Sequence, residues 1–498
     1  MSRPAPSPAA PPFPARTVPV PFLAPDTARE HVDGAGPADG DASEAPLTWS
    51  QRYYLAEVDA ARAHGRGLNV PRLYRLRPGT TEAGTVTALS ELLVRYEVLR
   101  TRVVRDPAGT VRQRVHARGA LHLAVHEAPA GTADDHARTV LDGLVTPPLD
   151  VTECWPLRAA LVTEDGHPRY LALAFSHVAV DAYALVPVSA HLVERIAEAD
   201  PVARAAAPAA AGTVARGPRE QAAAEASPAG RKAAGRALRH AEEAYRRMPA
   251  AVNPAPDTRP RPSPRHRFLH RTSPALDLAV GAVAARTGES PATVLAAALV
   301  ALDAAGTGPV PHEDGTGETR YGAVHLISAN RLRPETAAAV LPLSQPVPCC
   351  VDTAGATFQE LARRTAAASL RAFRAGGAPP DELAALLATV ARERGVRLDA
   401  TPALNYRPRS TALPVRPTTA GELAAAAPRS VTRWTEADPW RASHYLSADV
   451  DASGIRLLLQ VDTAVHPPEW AERRLDALER LLCAAALDAH CPALPTLG

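Results

Sequence analysis

The sequence is poor in lysine and has almost no excess charge. Lys232 is the only lysine among 55 basic residues, and 53 acidic residues leave a formal net charge of +2. No block of basic residues alternates with aromatic residues, so the chain lacks the broad positive field that nucleic-acid binding needs. We therefore expect no nucleic-acid partner.

Cysteines and long apolar runs are also scarce. The five cysteines, Cys154, Cys349, Cys350, Cys483 and Cys491, are odd in number and lack CxxC spacing. They indicate reduced thiols rather than a disulfide framework or a zinc site. No apolar run reaches about 18 residues, and prolines interrupt the N-terminus, so neither a membrane span nor a signal peptide is predicted. The expected location is the cytoplasm, without a membrane partner.

The composition is that of a globular protein, with 46% hydrophobic and 22% charged residues. A chain of 498 residues exceeds what one hydrophobic core usually serves, which predicts two subdomains. Neither a metal-binding constellation nor a glycine-rich phosphate loop is visible. We therefore expect no metal and no bound cofactor.

Composition divides the chain into four segments. Residues 1–45 form a Pro/Ala-rich extension, expected to be mostly disordered, in which TVPVPF could form only an edge strand. Residues 46–200 and 266–490 alternate between helix and strand patterns and predict two subdomains. Residues 201–265 are predicted to be a linker with one helix, AAGRALRHAEEAYRRM.

The stretch AFSHVAVDAYAL, residues 174–185, places His177 and Asp181 where an apolar strand ends. Such a strand end lies at the rim of a covered sheet, where hydrogen bonds are strong. The imidazole could accept a proton from an amine or hydroxyl, with Asp181 fixing the ring or the loop. By itself, such a pair is more often simply the end of a buried strand. Asp181 could also cap the next helix, although Pro187 favours a helix starting near Val186.

Together with its surroundings, this stretch resembles the HHxxxDG motif of condensation domains from nonribosomal peptide synthetases. LTWSQRYYL (47–55) and RYEVLRTRV (95–103) are similar to the family motifs SxAQxRLW and RHExLRTRF. PPLDVTECWPLRAALV is similar to FDLxxGPLLRxxLL, and residues 327–352 are similar to the stretch that joins the family's arginine to GxFVNT. The motifs stand in the family's order from about residue 45 to residue 490.

The resemblance implies a mixed α/β fold with two chloramphenicol-acetyltransferase-like subdomains arranged as a V around a central tunnel. His177 would contact the attacking nucleophile. Asp181 would form a structural salt bridge, with Arg331 as the preferred partner and Arg100 as the alternative.

The sequence departs from the family at three places in these motifs. Ser176 replaces the first histidine, Ala182 replaces the glycine, and LPLSQP (341–346) stands where GxFVNT is expected. Ser176 would support the site if its hydroxyl replaced a backbone hydrogen bond of the family's first histidine, and we assign Ala182 and Gln345 to the substrate tunnel. These departures indicate either a specialised acceptor or lost catalysis.

The resemblance implies a free-standing condensation enzyme of natural-product and antibiotic biosynthesis. It would transfer an acyl group from the phosphopantetheine arm of an acyl or peptidyl carrier protein to a small-molecule amine or alcohol. His177 would orient an amine, or act as general base toward a hydroxyl. The arm belongs to the substrate, and a monomer is expected. Two alternatives stay open: a catalytically silent docking or recruitment domain, and an acyl-CoA-dependent O-acyltransferase.

Overall fold

The computed structural model of the chain describes residues 15–24, 42–198, 215–249, 264–306, 310–311, 318–396, 398, 403–408, 413–437, 443–451 and 453–494. The chain separates into two compact units. The first consists of Met1–Arg231 and Ala329–Ser344, and the second of Lys232–Ser328 and Gln345–Gly498. Helices and mixed sheets build the described parts of both units, which confirms the predicted α/β class.

The first half of the chain supplies the strands β1 Arg16–Leu23, β2 Ala42–Pro46, β3 Asn69–Arg75, β4 Thr101–Arg105, β5 Val111–His116, β6 Arg118–Ala128, β7 Leu157–Glu164 and β8 His167–Ser176. Its helices are α1 Trp49–Arg62, α2 Glu82–Arg95, α3 Ala133–Val145, α4 Leu185–Arg195, α5 Pro218–Ala226 and α6 Pro228–Arg247, with a 3-10 turn at Glu97–Arg100.

The second half supplies the strands β9 His266–Thr272, β10 Val310–Pro311, β11 Glu318–Thr319, β12 Tyr321–Ser328, β13 Gln345–Asp352, β14 Ala403–Pro408, β15 Val431–Glu436, β16 His444–Asp451 and β17 Gly454–Asp462. Its helices are α7 Pro274–Thr287, α8 Pro291–Ala305, α9 Pro334–Ala337, α10 Phe358–Ala375, α11 Pro380–Arg394, α12 Ala420–Ala426 and α13 Pro468–Leu487, with a 3-10 turn at Ala427–Arg429.

The main sheet of the first unit has the strand order β1-β6-β7-β8-β3, beside a smaller sheet ordered β2-β5-β4. Strands β7 and β8 form an antiparallel hairpin, and Asp165 and Gly166 both take positive φ angles in its turn. Because β8 lies between β7 and β3, residues 171–176 are all buried. The end of β8 therefore emerges from the covered interior of the sheet.

The N-terminal extension contains the edge strand that TVPVPF predicted, and the structure describes only residues 15–24 and 42–45 of residues 1–45. Residues 16–23 form β1, which pairs with β6 along its length at the edge of the main sheet, and residues 42–46 form β2. Val20 and Phe22 of β1 enter the core. Pro19 and Pro21 alternate with them, so their missing N–H donors all fall on one side of the strand. An edge strand needs donors only on its inner side.

The predicted linker also differs from the structure. Residues 215–249 contain two helices, α5 and α6, where one was predicted, and residues 201–214 and 250–263 lie outside the described residues. Ala241, Tyr245 and Met248 pack with Ala323 and Val390 in the second unit. Much of this segment is therefore packed structure. The sequence does not reveal this packing, because its many alanines do not distinguish a buried apolar face from an exposed polar one.

The second unit is built on a mixed sheet with the strand order β13-β12-β14-β16-β17-β9-β15. Between β12 and β13 the chain leaves this unit, and Ala329–Ser344 belongs to the first unit instead. There Ala339, Val340, Leu341 and Leu343 pack into the core around the main sheet. The predicted continuous subdomain at 266–490 is thus interrupted.

No single helix in the described part of the chain combines the length and apolarity needed to span a membrane. Only α7 and α8 taken together, bent by 103° at their junction, pass on length and composition.

Candidate functional site

Ser176 ends β8 and begins the turn that carries the candidate site. Its backbone carbonyl accepts hydrogen bonds from the N–H groups of Ala179 (2.9 Å) and Val180 (3.3 Å). Its fully buried hydroxyl accepts a bond from the Val178 N–H at 3.3 Å. The serine hydroxyl thus takes part in the backbone hydrogen bonding of the turn, and its replacement of the family's first histidine stays a prediction.

His177 follows directly, and its side chain is only partly covered. Its ring lies flat on the ring of Tyr54 from α1, with 4.1 Å between centroids and 6° between planes. Nδ1 is buried and makes no hydrogen bond of ordinary geometry with the described residues. Burial lowers the pKa of His177 below its ordinary value of 6.5, against the smaller opposing effects of Asp181 and of the backbone of His177 and Val180. The imidazole is therefore neutral at neutral pH and can accept a proton.

Asp181 is almost completely buried and both of its oxygens accept hydrogen bonds. Oδ1 accepts from Arg331 Nη2 at 3.0 Å and from the Ala184 N–H at 2.8 Å. Oδ2 accepts from Arg331 Nη1 at 3.2 Å and from the N–H groups of Leu343 (2.9 Å) and Ser344 (3.0 Å). Burial alone would raise the pKa of Asp181, but Arg331 and the three N–H donors outweigh it and lower the pKa. The carboxylate is therefore ionised and fully engaged.

Arg331 is the partner of Asp181, and both side chains are buried (6% and 2% exposed). Its guanidinium also donates to the carbonyls of Ala329 (3.2 Å), Ala339 (3.2 Å) and Leu341 (2.9 Å). The pair ties the turn after β8 to the segment Ala329–Ser344 within the first unit. Helix α4 begins at Leu185, close to the predicted start, and Asp181 lies outside it.

Arg100 is not the partner of Asp181, which settles the alternative that the sequence left open. It is buried, and it donates from Nε to the carbonyl of Leu93 (3.1 Å) and from Nη1 to the carbonyl of His116 (2.6 Å). Leu93 lies in the last turn of α2, whose final carbonyls have no helical donor. Arg100 supplies one, which explains its burial.

Ala182 and Gln345 lie in different units. Ala182 is exposed beside Asp181 in the turn of the first unit. Gln345 begins β13 of the second unit, where it is buried and donates from Nε2 to the carbonyl of Ala378 at 3.2 Å. Their assignment to a substrate tunnel stays a prediction.

Tyr54 is the residue at this site that sequence reasoning missed. Its hydroxyl shares a 2.7 Å hydrogen bond with Ser344 Oγ, and Ser344 in turn donates its N–H to Asp181. The signal was available in the first motif, where this sequence has tyrosine at a position that the family pattern gives as leucine. Nothing in the sequence placed that position against His177.

A metal site is not evident among the described residues, since no group of three or more histidine, cysteine, aspartate or glutamate side chains could hold an ion there.

Comparison with known proteins places this geometry in a family context. Residues 41–192, which include His177 and Asp181, match the family model of the condensation domain. The X-domain solved in complex with OxyB from teicoplanin biosynthesis has a TM-score of 0.61 at 18% identity, over 92% of this chain and 96% of that chain. The chain has a condensation-domain fold. The family resemblance inferred from the sequence is confirmed.

Two further condensation-fold structures show the same likeness. The protein SgcC5 from Streptomyces globisporus has a TM-score of 0.59 at 19% identity, covering 90% of this chain and 100% of its own. A structure that describes condensation domain-mediated chain release from the enacyloxin polyketide synthase has a TM-score of 0.62 at 20% identity, covering 91% and 83%. No curated protein sequence matches this condensation-fold chain.

Proposed function

We propose that this protein is an acyltransferase of the condensation type, which moves an acyl group from a phosphopantetheinyl thioester to an amine or a hydroxyl. One observation carries the proposal. A neutral, partly exposed imidazole stands at the end of a buried strand, beside a turn that a buried Asp181–Arg331 pair holds in place. Such a turn holds one proton acceptor, the imidazole of His177, at a fixed position and places no second free charge beside it.

In the proposed reaction the acceptor nitrogen or oxygen attacks the thioester carbonyl carbon, and the carbonyl electron pair moves to oxygen. His177 takes the proton of a hydroxyl, or orients an amine that is already partly neutral. The intermediate collapses by breaking the C–S bond, and the phosphopantetheine thiol leaves with the proton that the acceptor has lost. The N–H of the protonated imidazole can stabilise the oxyanion in between.

Asp181 has a structural role in this proposal. Its two oxygens already accept five hydrogen bonds, so the carboxylate has no free position from which to take a proton from a substrate. Its lowered pKa also makes it a poor base at neutral pH. Proton transfer at this site is therefore assigned to His177 alone.

The proposed donor is an acyl or peptidyl carrier protein, and the proposed acceptor is a small amine or alcohol. The similar folds include the first condensation domain of the calcium-dependent antibiotic synthetase in complex with a substrate analogue. This likeness supports a place in natural-product biosynthesis. An acyl-CoA donor is the second arm of the same test, because CoA carries the same phosphopantetheine thiol.

The test is product formation from acyl-loaded carrier protein, or from acyl-CoA, with a panel of amines and alcohols. We expect wild type to form an amide or an ester, and His177→Ala to lose about 100-fold or more of the rate, since general acid–base groups contribute about that much. His122→Ala, which removes an exposed histidine of the same unit, is the matched control and should keep the rate. Equal rates for wild type and His177→Ala would remove His177 from the mechanism.

Recruitment of another protein is the second candidate function. The X-domain forms a complex with OxyB, so a condensation fold can serve as a binding partner. In this chain, Tyr183 and Leu332 of the first unit are 50% and 73% exposed, and Ser176 and Ala182 depart from the family motif. A wild type that forms no product with any donor and acceptor, yet binds a partner enzyme, would favour this function.

A further inference from the structure

Packing on Tyr54 helps to set the plane of the His177 ring, beside its backbone contacts with His177 itself and Val180. A catalytic histidine usually anchors its Nδ1, and here Nδ1 is buried and the backbone groups of His177 and Val180 interact with the ring without fixing its plane by a bond of ordinary geometry. The close contact of known geometry is the parallel stack on Tyr54, at 4.1 Å and 6°. Edge-to-face arrangements are also favourable for aromatic pairs, so a stack this parallel fixes one particular ring orientation.

The hydroxyl of Tyr54 is held by hydrogen bonds that lead back to Asp181. Its hydroxyl bonds to Ser344 Oγ at 2.7 Å, and the Ser344 N–H donates to Asp181 Oδ2 at 3.0 Å. Contacts therefore run from His177 through Tyr54 and Ser344 to Asp181, which lies in the same turn as His177. Because these contacts begin and end in the same turn, the phenol ring cannot move without breaking a hydrogen bond or the stack.

Helix α1 holds the backbone of Tyr54 in place one turn after its capped start. The Thr48 hydroxyl accepts the Gln51 N–H at 3.1 Å, and the Gln51 side chain accepts the Thr48 N–H at 2.9 Å. This capping box fixes where the helix begins and which face Tyr54 occupies. The position of the phenol ring is thus set from its backbone as well as from its hydroxyl.

We propose that Tyr54 is the positioning residue of His177, holding the imidazole plane in the orientation that acyl transfer requires. This inference rests on the proposed function and names the group that aims its base. The phenol ring acts through His177 and need not touch the substrate. Its covering of one imidazole face also contributes to the burial that keeps the ring neutral.

The ring and the hydroxyl of Tyr54 make separable contributions. Tyr54→Phe keeps the stacked face and loses only the bond to Ser344, whereas Tyr54→Leu removes the face itself. Ser344→Ala deletes the same hydrogen bond from its other side and should match Tyr54→Phe. Tyr53→Phe removes a hydroxyl from the neighbouring tyrosine, whose ring stands at 71° to that of Tyr54 with 5.1 Å between centroids, and serves as control.

Steady-state kinetics with a donor and an acceptor that wild type accepts test the proposal. Because small misplacements of a catalytic group can cost up to about 100-fold, we expect Tyr54→Leu to lower kcat by about 10- to 100-fold and to leave KM nearly unchanged. Tyr54→Phe and Ser344→Ala should each lose much less. Circular dichroism and the thermal midpoint check that each variant is folded. A folded Tyr54→Leu with wild-type kcat would overturn the proposal.

A second measurement does not depend on activity. In protein labelled with isotopic histidine, the His177 resonances are assigned by their loss in His177→Gln. A ring stacked on the phenol face should shift these resonances upfield, and Tyr54→Leu should remove the shift and raise the pKa of His177 toward its ordinary value, because water then reaches the ring. Unchanged resonances and an unchanged pKa in Tyr54→Leu would overturn the positioning role.

The two measurements separate the possible failures. If wild type forms no product with any donor, the proposed function fails, and the resonances alone then decide whether Tyr54 orients the ring. If wild type is active and Tyr54→Leu changes neither kcat nor the resonances, the positioning role fails while the proposed function stands.

Discussion

At the scale of single residues, the buried pair Asp181–Arg331 sets the geometry around His177. Two buried charges are costly unless they are paired and hydrogen-bonded. Here the carboxylate and the guanidinium bond to each other and to six backbone groups, and only Arg331 Nε is buried without a hydrogen bond to the described residues. The family resemblance of the sequence suggested this pair. That resemblance favoured Arg331 and kept Arg100 as the alternative, and the choice between them needed the structure, because only the neighbours of the two arginines distinguish them.

Removing one partner of this pair should destabilise the protein far more than removing an exposed partner elsewhere. Arg331→Met leaves a buried carboxylate without its counter-charge, which typically costs about 3–5 kcal/mol. Arg62→Met breaks the exposed pair with Asp150 and should cost about 1 kcal/mol or less. Urea unfolding of both variants measures the difference. Equal losses would mean that the buried pair contributes no more than a surface one.

At the scale of elements, helix α1 connects a titratable group to the site. The Trp49 N–H at its first turn donates to Glu225 Oε2 of α5 at 2.7 Å, and Gln221 donates to Glu225 Oε1 at 3.0 Å. Burial raises the pKa of Glu225 to about 7, against the smaller opposing effects of these donors. The start of the helix that carries Tyr54 therefore rests on a carboxyl group that titrates near neutral pH.

This raised pKa predicts a pH-dependent stability. The folded protein holds the proton of Glu225 more tightly than the unfolded chain does, so the contribution is complete below about pH 4.5 and is lost as pH rises through about 7. Relative to Glu225→Gln, wild type should lose up to about 3 kcal/mol of unfolding free energy between those two pH values. Urea titrations of both proteins across this range measure the loss.

Glu153→Gln, an exposed glutamate of the same unit, provides the control for this titration and should show no such trend. A difference between wild type and Glu225→Gln that stays constant with pH would contradict the assignment of the raised pKa to Glu225.

Elements with a local signal could be predicted from the sequence, and those without one could not. The Asp165–Gly166 turn and the Ser290 N-cap of α8 carry such a local signal, because turn and cap chemistry act over a few residues. Helix α5, with the sequence PREQAAAEA, was missed because alanine and charged residues give no apolar stripe. Its role in supporting Trp49 depends on a contact between residues far apart in the chain.

At the scale of the whole molecule, the order of the motifs predicted the condensation fold, and the comparisons confirm it. Hydrophobic pattern could not show that Ala329–Ser344 belongs to the first unit, because such a pattern reveals burial but not which core does the burying. The same limit hid Tyr54. Its stack on His177 depends on how α1 packs against the turn after β8, and no spacing in the sequence encodes that contact.

The most direct test of the central claim is the single-turnover discharge of an acyl-loaded carrier protein in the presence of an acceptor, with wild type and His177→Ala compared side by side. The account predicts rapid formation of the amide or ester by wild type and a rate at least about 100-fold lower for the variant, with both proteins equally folded. Discharge at the same rate with both proteins, or with neither, would contradict it.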